Sequence, residues 1–206
     1  MKVLAKYSLL PLLLLLGSCA QLVMPKADRE LAQLPAGNYR LAPAHTTVIF
    51  KIGHLGISSY VGRFNQTDAS LQYDSENPEK SRLTATVAMS SLDVNDTDFS
   101  ETLTGCDWLC AEKYPEAVFT TIADAEVQGN KLTFPGELRF RGVTREAEIV
   151  VDMRGGADNM LTGRYTLGFD AHLTFNRSKY GMGKYIPVVG DRVDIEVYTE
   201  FLREKE

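Results

Sequence analysis

The segment "VDIEVYTEF" near the C-terminus constrains this chain more than any other: Val193, Ile195, Val197, Thr199 and Phe201 alternate with Asp194, Glu196, Tyr198 and Glu200. Successive side chains on a strand point to opposite faces, so this pattern makes one dry and one wet face, a period that no helix reproduces. The alternation recurs. "LTATVAM" aligns Leu83, Ala85, Val87 and Met89, and "KLTFPGELRF" aligns Leu132, Phe134, Leu138 and Phe140. "AEIVVDM" aligns Ala147, Ile149, Val151 and Met153, and "LTGRYTLGFDAHLTF" gives a long dry face from Leu161 to Phe175. With the segments around Tyr39, Phe50, Phe64 and Ile122 the chain holds roughly eight or nine strands.

Strands that are apolar on one face hide it in a two-sheet sandwich or in a closed barrel. Their length and the local hairpin signals favour an antiparallel barrel: Gly129 and Asn130 separate two strands, and "GGADN" reads as the turn before the Leu161 strand. A ring of about eight strands has an interior that side chains fill or that holds one ligand. Composition by itself leans to a packed core. One stretch reads as helix, over residues 98–112, with Asp98 as N-cap, Glu101 three residues on, and Pro115 forbidding continuation.

The N-terminus carries Lys2 and Lys6, an apolar run from Leu9 to Leu16 broken by Pro11, then Leu16, Gly17, Ser18 and Cys19. The run is far short of the roughly 20 residues of a membrane-spanning helix and reads as an export signal. Leu-Gly-Ser-Cys resembles the bacterial lipobox, which makes Cys19 the expected acylated anchor; acyl chains hold a protein on a membrane at about 0.8 kcal/mol per buried CH₂. Ala20 after the cysteine favours the outer over the inner membrane. The expected organisation is a lipoprotein signal over 1–18, a tether over 19–36 and one domain over 37–206, in the periplasmic side of a bacterial envelope. Loss of Lys2 and Lys6 takes the formal net charge from −5 to about −7, which argues against nucleic acid as a partner and against a polybasic membrane patch.

An exported chain can oxidise its thiols. Cys106 and Cys110, in "GCDWLC", stand four apart, and on a regular helix their Cβ atoms are too far from each other for a bond. A disulfide there needs a distorted turn, and the residues leave it open against two free thiols. His45 and His54 are nine apart, so on one strand they face opposite sides, His54 inward beside Phe50 and Ile52. His172 shares the wet face of its strand. Three scattered histidines hold no metal together, and His-Glu-x-x-His, Gly-x-Ser-x-Gly and Gly-Lys-Ser/Thr patterns do not occur. No enzymatic machinery is visible.

Five ordered motifs carry a resemblance: the His-Thr-x-Val-x-Phe start at His45, "GHLGISSYVGRF", "YPEAVFTT", "GELRFRGVTRE" and "FNRSKYGM". Together, over about Gly37 to Phe201, they are similar to the YceI-like family of bacterial polyisoprenoid-binding proteins. The resemblance implies a lipocalin-like barrel whose apolar tunnel holds an isoprenoid lipid of the quinone or polyprenyl phosphate type, as a periplasmic carrier, buffer or store without chemistry of its own. The expected wall is Phe50, Ile52, His54, Phe64, Leu71, Val87, Phe134, Phe140, Leu167, Phe169 and Ile195, with His45 and Arg177 at the mouth; a guanidinium there could pair with phosphate bidentately. Two rival readings stay open: an interaction lipoprotein with a filled barrel, and a quinone-holding accessory to a membrane cytochrome. Association as a homodimer is also left open.

Overall fold

The structure, a computed structural model, describes residues 25–205 and folds them around one antiparallel sheet that closes on itself. The strands are β1 (Gly37–Leu41), β2 (Thr47–His54), β3 (Ser58–Phe64), β4 (Thr67–Tyr73), β5 (Arg82–Ala88), β6 (Leu92–Asp93), β7 (Glu116–Thr121), β8 (Glu126–Gln128), β9 (Lys131–Phe140), β10 (Val143–Asn159), β11 (Arg164–Asn176) and β12 (Val189–Arg203). Eight of them close a ring, in the order β1, β4, β5, β7, β9, β10, β11, β12 and back to β1. This is the antiparallel eight-stranded barrel that the period-two pattern predicts.

β12 serves two partners along one edge. Its C-terminal part pairs with β1, as Leu41 with Phe201, and its N-terminal part with β2, as Ile52 with Val193. Pro43, which has no amide hydrogen to give a ladder, opens the short 3-10 turn Pro43–His45 that separates β1 from β2. The neighbouring ladder is interrupted in the same way, β4 pairing with β5 and β3 with β6. Strands therefore surround one end of the barrel completely. At the other end the wall between β6 and β9 is made by helix α1 (Thr97–Thr104) and the turns over 105–114.

Helix α1 is shorter and begins earlier than the sequence suggests. Asp96 is its N-cap, the side chain accepting from the Phe99 amide at 2.9 Å, and Asp98 lies inside the first turn, where its charge complements the helix dipole. The helix stops at Gly105. Beyond it Cys106 and Cys110 are joined in a disulfide, and the distorted turn this requires is present, with Cys110 at φ +53°. The β9–β10 hairpin turns on Arg141 and Gly142, both at positive φ (47° and 74°), the two-residue geometry whose twist matches the flanking strands.

Two readings of the sequence are corrected at the fully stranded end. "GGADN" is not a turn: it continues β10 past a bulge between Met153 and Gly155, and the chain reverses at residues 160–163. The bulge admits another segment. Gly155 sits at φ +133°, and a Cβ there would lie 2.6 Å from the Asp28 carbonyl oxygen, so only glycine allows that approach. Asp28 and Gly156 exchange backbone hydrogen bonds of 2.7 and 2.8 Å. From Asp28 onward the expected tether is a plug. Leu31 and Leu34 are buried in the core, and three phenols hold the segment: Tyr39 donates to the Pro35 carbonyl (2.6 Å), Tyr73 to the Leu31 carbonyl (2.7 Å) and Tyr165 to the Asp28 carboxylate (2.8 Å). The expected signal over 1–18 and the start of the tether, with Cys19, lie outside the described residues.

Candidate functional site

Inward-facing side chains of a filled barrel lose nearly all contact with solvent. Here Phe50, Ile52, Leu83, Val87, Ala171 and Ile195 face inward yet stay only half-buried, because a void lies between them. The void is a cavity of about 640 Å³, within the range of small-ligand sites. Its wall runs from Phe201, near the plug, to Val189, Trp108 and Tyr185 at the opposite end. Twelve residue steps of β12 at about 3.4 Å, tilted by about 40°, make this lumen about 30 Å deep. Two exposed aromatics on its wall, Phe99 and Tyr185, mark where it opens to the surface.

The wall is almost wholly apolar. Of its two threonine hydroxyls, Thr67 donates to the Thr86 carbonyl at 2.9 Å and Thr199 bonds the Thr46 hydroxyl at 2.7 Å, so neither is free for a ligand. Aromatic pairs shape the lumen, with Phe169 edge-on to Phe201 at 5.3 Å near the plug, and Phe140, Phe175 and Tyr180 in mutual contact near the opening. A site of this composition selects by length and cross-section and holds a hydrocarbon by burial alone.

The residues expected to line a tunnel are brought together with one exception. Phe50, Ile52, His54, Phe64, Leu71, Val87, Phe134, Phe140, Phe169 and Ile195 all lie on the cavity wall. Leu167 does not. It is fully buried, in register with Gly156 and Phe201 where the Asp28 segment joins the barrel, so its end of the lumen is filled. Sequence parity placed it correctly inward but gave no sign of the plug. His54 stands near the opening, its ring 6.5 Å from that of Tyr60.

Both expected mouth residues are elsewhere in role. His45 lies on the outer wall, exposed, with Nδ1 2.8 Å from a Glu200 carboxylate oxygen, because the β1–β2 junction meets β12 far from the opening. Arg177 does reach the open end but is 1 % exposed. Its Nε donates to the Gly190 carbonyl (2.7 Å), its Nη2 to Lys184 and Val189 (both 2.9 Å) and its Nη1 to Met182. A guanidinium so engaged has no fork to offer a phosphate; it ties down the 182–190 segment instead. Burial pulls its pKa down, the nearby Asp191 carboxylate opposing this. Trp108 stacks near it, 6.0 Å from ring centroid to guanidinium carbon.

Sequence reasoning missed Tyr60, Phe99, Leu103, Trp108, Met182 and Tyr185, which build the wall around the opening. Most come from the helix and irregular turns, where no period marks an inward face. Trp108 alone carried a signal, as a large apolar residue fixed between two cysteines.

The YceI-like domain family model matches residues 39–201. A UPF0312 protein of Photorhabdus laumondii is 30 % identical over 194 residues, covering 93 % of this chain and 97 % of its own. Among solved structures, Burkholderia cenocepacia BcnA superposes with a TM-score of 0.70 at 24 % identity, over 78 % of this chain and 98 % of that one. A polyisoprenoid binding domain from Saccharophagus degradans, implicated in plant cell wall breakdown, shares the fold at a TM-score of 0.56 and 11 % identity, over 82 % of this chain and all of that one. The barrel, the matched span and the relative together identify the chain as a member of the YceI-like family.

Proposed function

We infer that this protein binds the hydrocarbon tail of an isoprenoid lipid, tail toward the plug and head group toward the opening, and that it carries or buffers that lipid in the bacterial envelope. The observation that carries this reading is the apolar lumen, about 640 Å³ in volume and closed at one end. An isoprene unit of four chain carbons with bonds of roughly 1.5 Å spans about 5 Å, so a lumen of about 30 Å takes about six units. The related domain whose ligand class is polyisoprenoid supports the choice of lipid. Binding without turnover fits a wall that offers neither a nucleophile nor a paired acid and base. The resemblance of Leu-Gly-Ser-Cys, ending at Cys19, to a lipobox supports a membrane-held protein on the periplasmic side. A filled-barrel scaffold would need the interior that this structure leaves hollow.

Native mass spectrometry of gently purified protein tests the reading. A co-purifying prenyl lipid, released on unfolding, is the expected result. Protein that emerges empty and takes up no prenyl alcohol between three and eight units long would refute it.

A further inference from the structure

The open end carries a feature that tail binding does not use. The β2–β3 turn and the segment before β12 lie side by side there, joined by the Leu55 amide donating to the Val188 carbonyl at 2.8 Å. Their tips are Leu55, Gly56 and Ile57, and Tyr185, Ile186, Pro187 and Val188, without one charged residue. Buried residues would explain such composition, but Leu55 is 55 %, Ile57 84 % and Val188 51 % exposed. Tyr185 also lines the lumen, so the exposed lip runs into the apolar wall without a break. An apolar patch of this kind marks an interaction site.

We propose that this lip docks the protein on a lipid bilayer, with the lumen opening toward the acyl chains. The proposal rests on the carrier reading and specifies its partner. The described chain meets the barrel at the far end from the lip, where Asp28 joins Gly156. The lip consists of two turn tips rather than a groove, which suits shallow insertion below head groups. Continuity with the lumen gives the insertion a purpose: a prenyl tail passes between bilayer and barrel without crossing water. Charges behind the tips have both signs, as in the 2.7 Å pair of Lys184 with Asp107, so docking depends on apolar contact and not on anionic lipid. It therefore persists at high salt.

Residues 25–205 contain the whole closed barrel and its plug, so a chain beginning at Pro25 serves for the test. The measurements are co-sedimentation with phosphatidylcholine vesicles at low and high salt, and prenyl alcohol binding in vesicle-free buffer. Ile57→Asp with Val188→Asp is expected to reduce sedimentation at least tenfold while leaving prenyl binding within threefold. Leu161→Asp, at the 98 % exposed turn near the plug, is expected to change neither. Sedimentation unchanged by the lip substitutions, lost in the Leu161 variant, or absent from the unsubstituted chain overturns the proposal. So does a concentration-dependent dimer that the lip substitutions dissolve, since the lip would then belong to a second copy. A lip variant that keeps its vesicles and its prenyl ligand refutes docking alone; a chain that docks but binds no prenyl alcohol refutes the carrier reading alone.

Discussion

Ala171→Phe separates a hollow barrel from a packed one. Ala171 faces the lumen on β11, in register with Val197 of β12, eight of twelve residue steps from Val189 toward Phe201. A phenyl ring there blocks the lumen at about two-thirds of its depth, about 20 Å in, and puts about two isoprene units' worth of wall out of reach. Five carbons at about 0.8 kcal/mol each give about 4 kcal/mol of gross burial per unit, and ordering a flexible tail reduces this to about 1–2 kcal/mol net. A six-unit alcohol should then lose about 2–4 kcal/mol, or roughly 30- to 1,000-fold in affinity, and a three-unit alcohol should lose less than about threefold. Displacement of a fluorescent prenyl lipid by both alcohols reads the difference, and urea unfolding reads the other half of the argument. An added ring in a packed core costs about 1–3 kcal/mol, whereas in an empty lumen it finds room and leaves stability unchanged or raised. Equal losses for short and long ligands, accompanied by destabilisation in that range, would refute the reasoning.

Arg177→Met should cost about 3 kcal/mol in urea unfolding, since it leaves backbone carbonyls over 182–190 without their donor, yet it should reduce binding of prenyl alcohols and prenyl phosphates equally; selective loss of the phosphates would restore a head-group role. Leu34→Ala, at a side chain 1 % exposed in the plug, should cost about 2–5 kcal/mol and raise amide exchange of residues 28–36 ahead of the barrel strands; exchange that stays uniform would deny the plug a separate identity. Burial pushes the phenols of Tyr39, Tyr73 and Tyr165 up, Tyr39 to about 12. The unfolded chain releases these protons near pH 10 while the folded chain keeps them, so their contribution is complete below about pH 10 and declines from there toward pH 12. The urea midpoint should fall between pH 10 and 11, and less steeply in Tyr73→Phe; identical profiles would dismiss the phenols as the cause.

The barrel wall was legible because strand parity is a local property: once Val193, Ile195 and Phe201 alternate with charges, the inward face follows without knowledge of partners. Ten of the eleven wall residues that the resemblance implies do line the cavity. Parity failed where a distant segment intervened, as at Leu167, whose end of the lumen is taken by Leu31 and Leu34 through a contact that only Gly155 permits. Within the expected tether, residues 28–36 pack on the barrel for the same reason, since proline and glycine boundaries do not reveal which leucines return to a core. Arg177 at the mouth was a positional guess; four backbone carbonyls from a later loop decide its role, and no sequence period encodes them.

The panel made by helix α1 and residues 105–114 differs in kind from the rest of the barrel wall. Elsewhere each strand is laced to its neighbours by a ladder of amide bonds, whereas this panel meets the β9–β10 hairpin through side chains, as in Arg141 to the Cys106 carbonyl at 3.2 Å and Tyr114 against Gly142. A cylinder hooped on all sides but one gives way there first. On the carrier reading, a guest broader than a single tail should therefore displace this plate, stapled within itself by Cys106 and Cys110, before it widens the laced staves, and amide exchange of residues 97–114 should rise first.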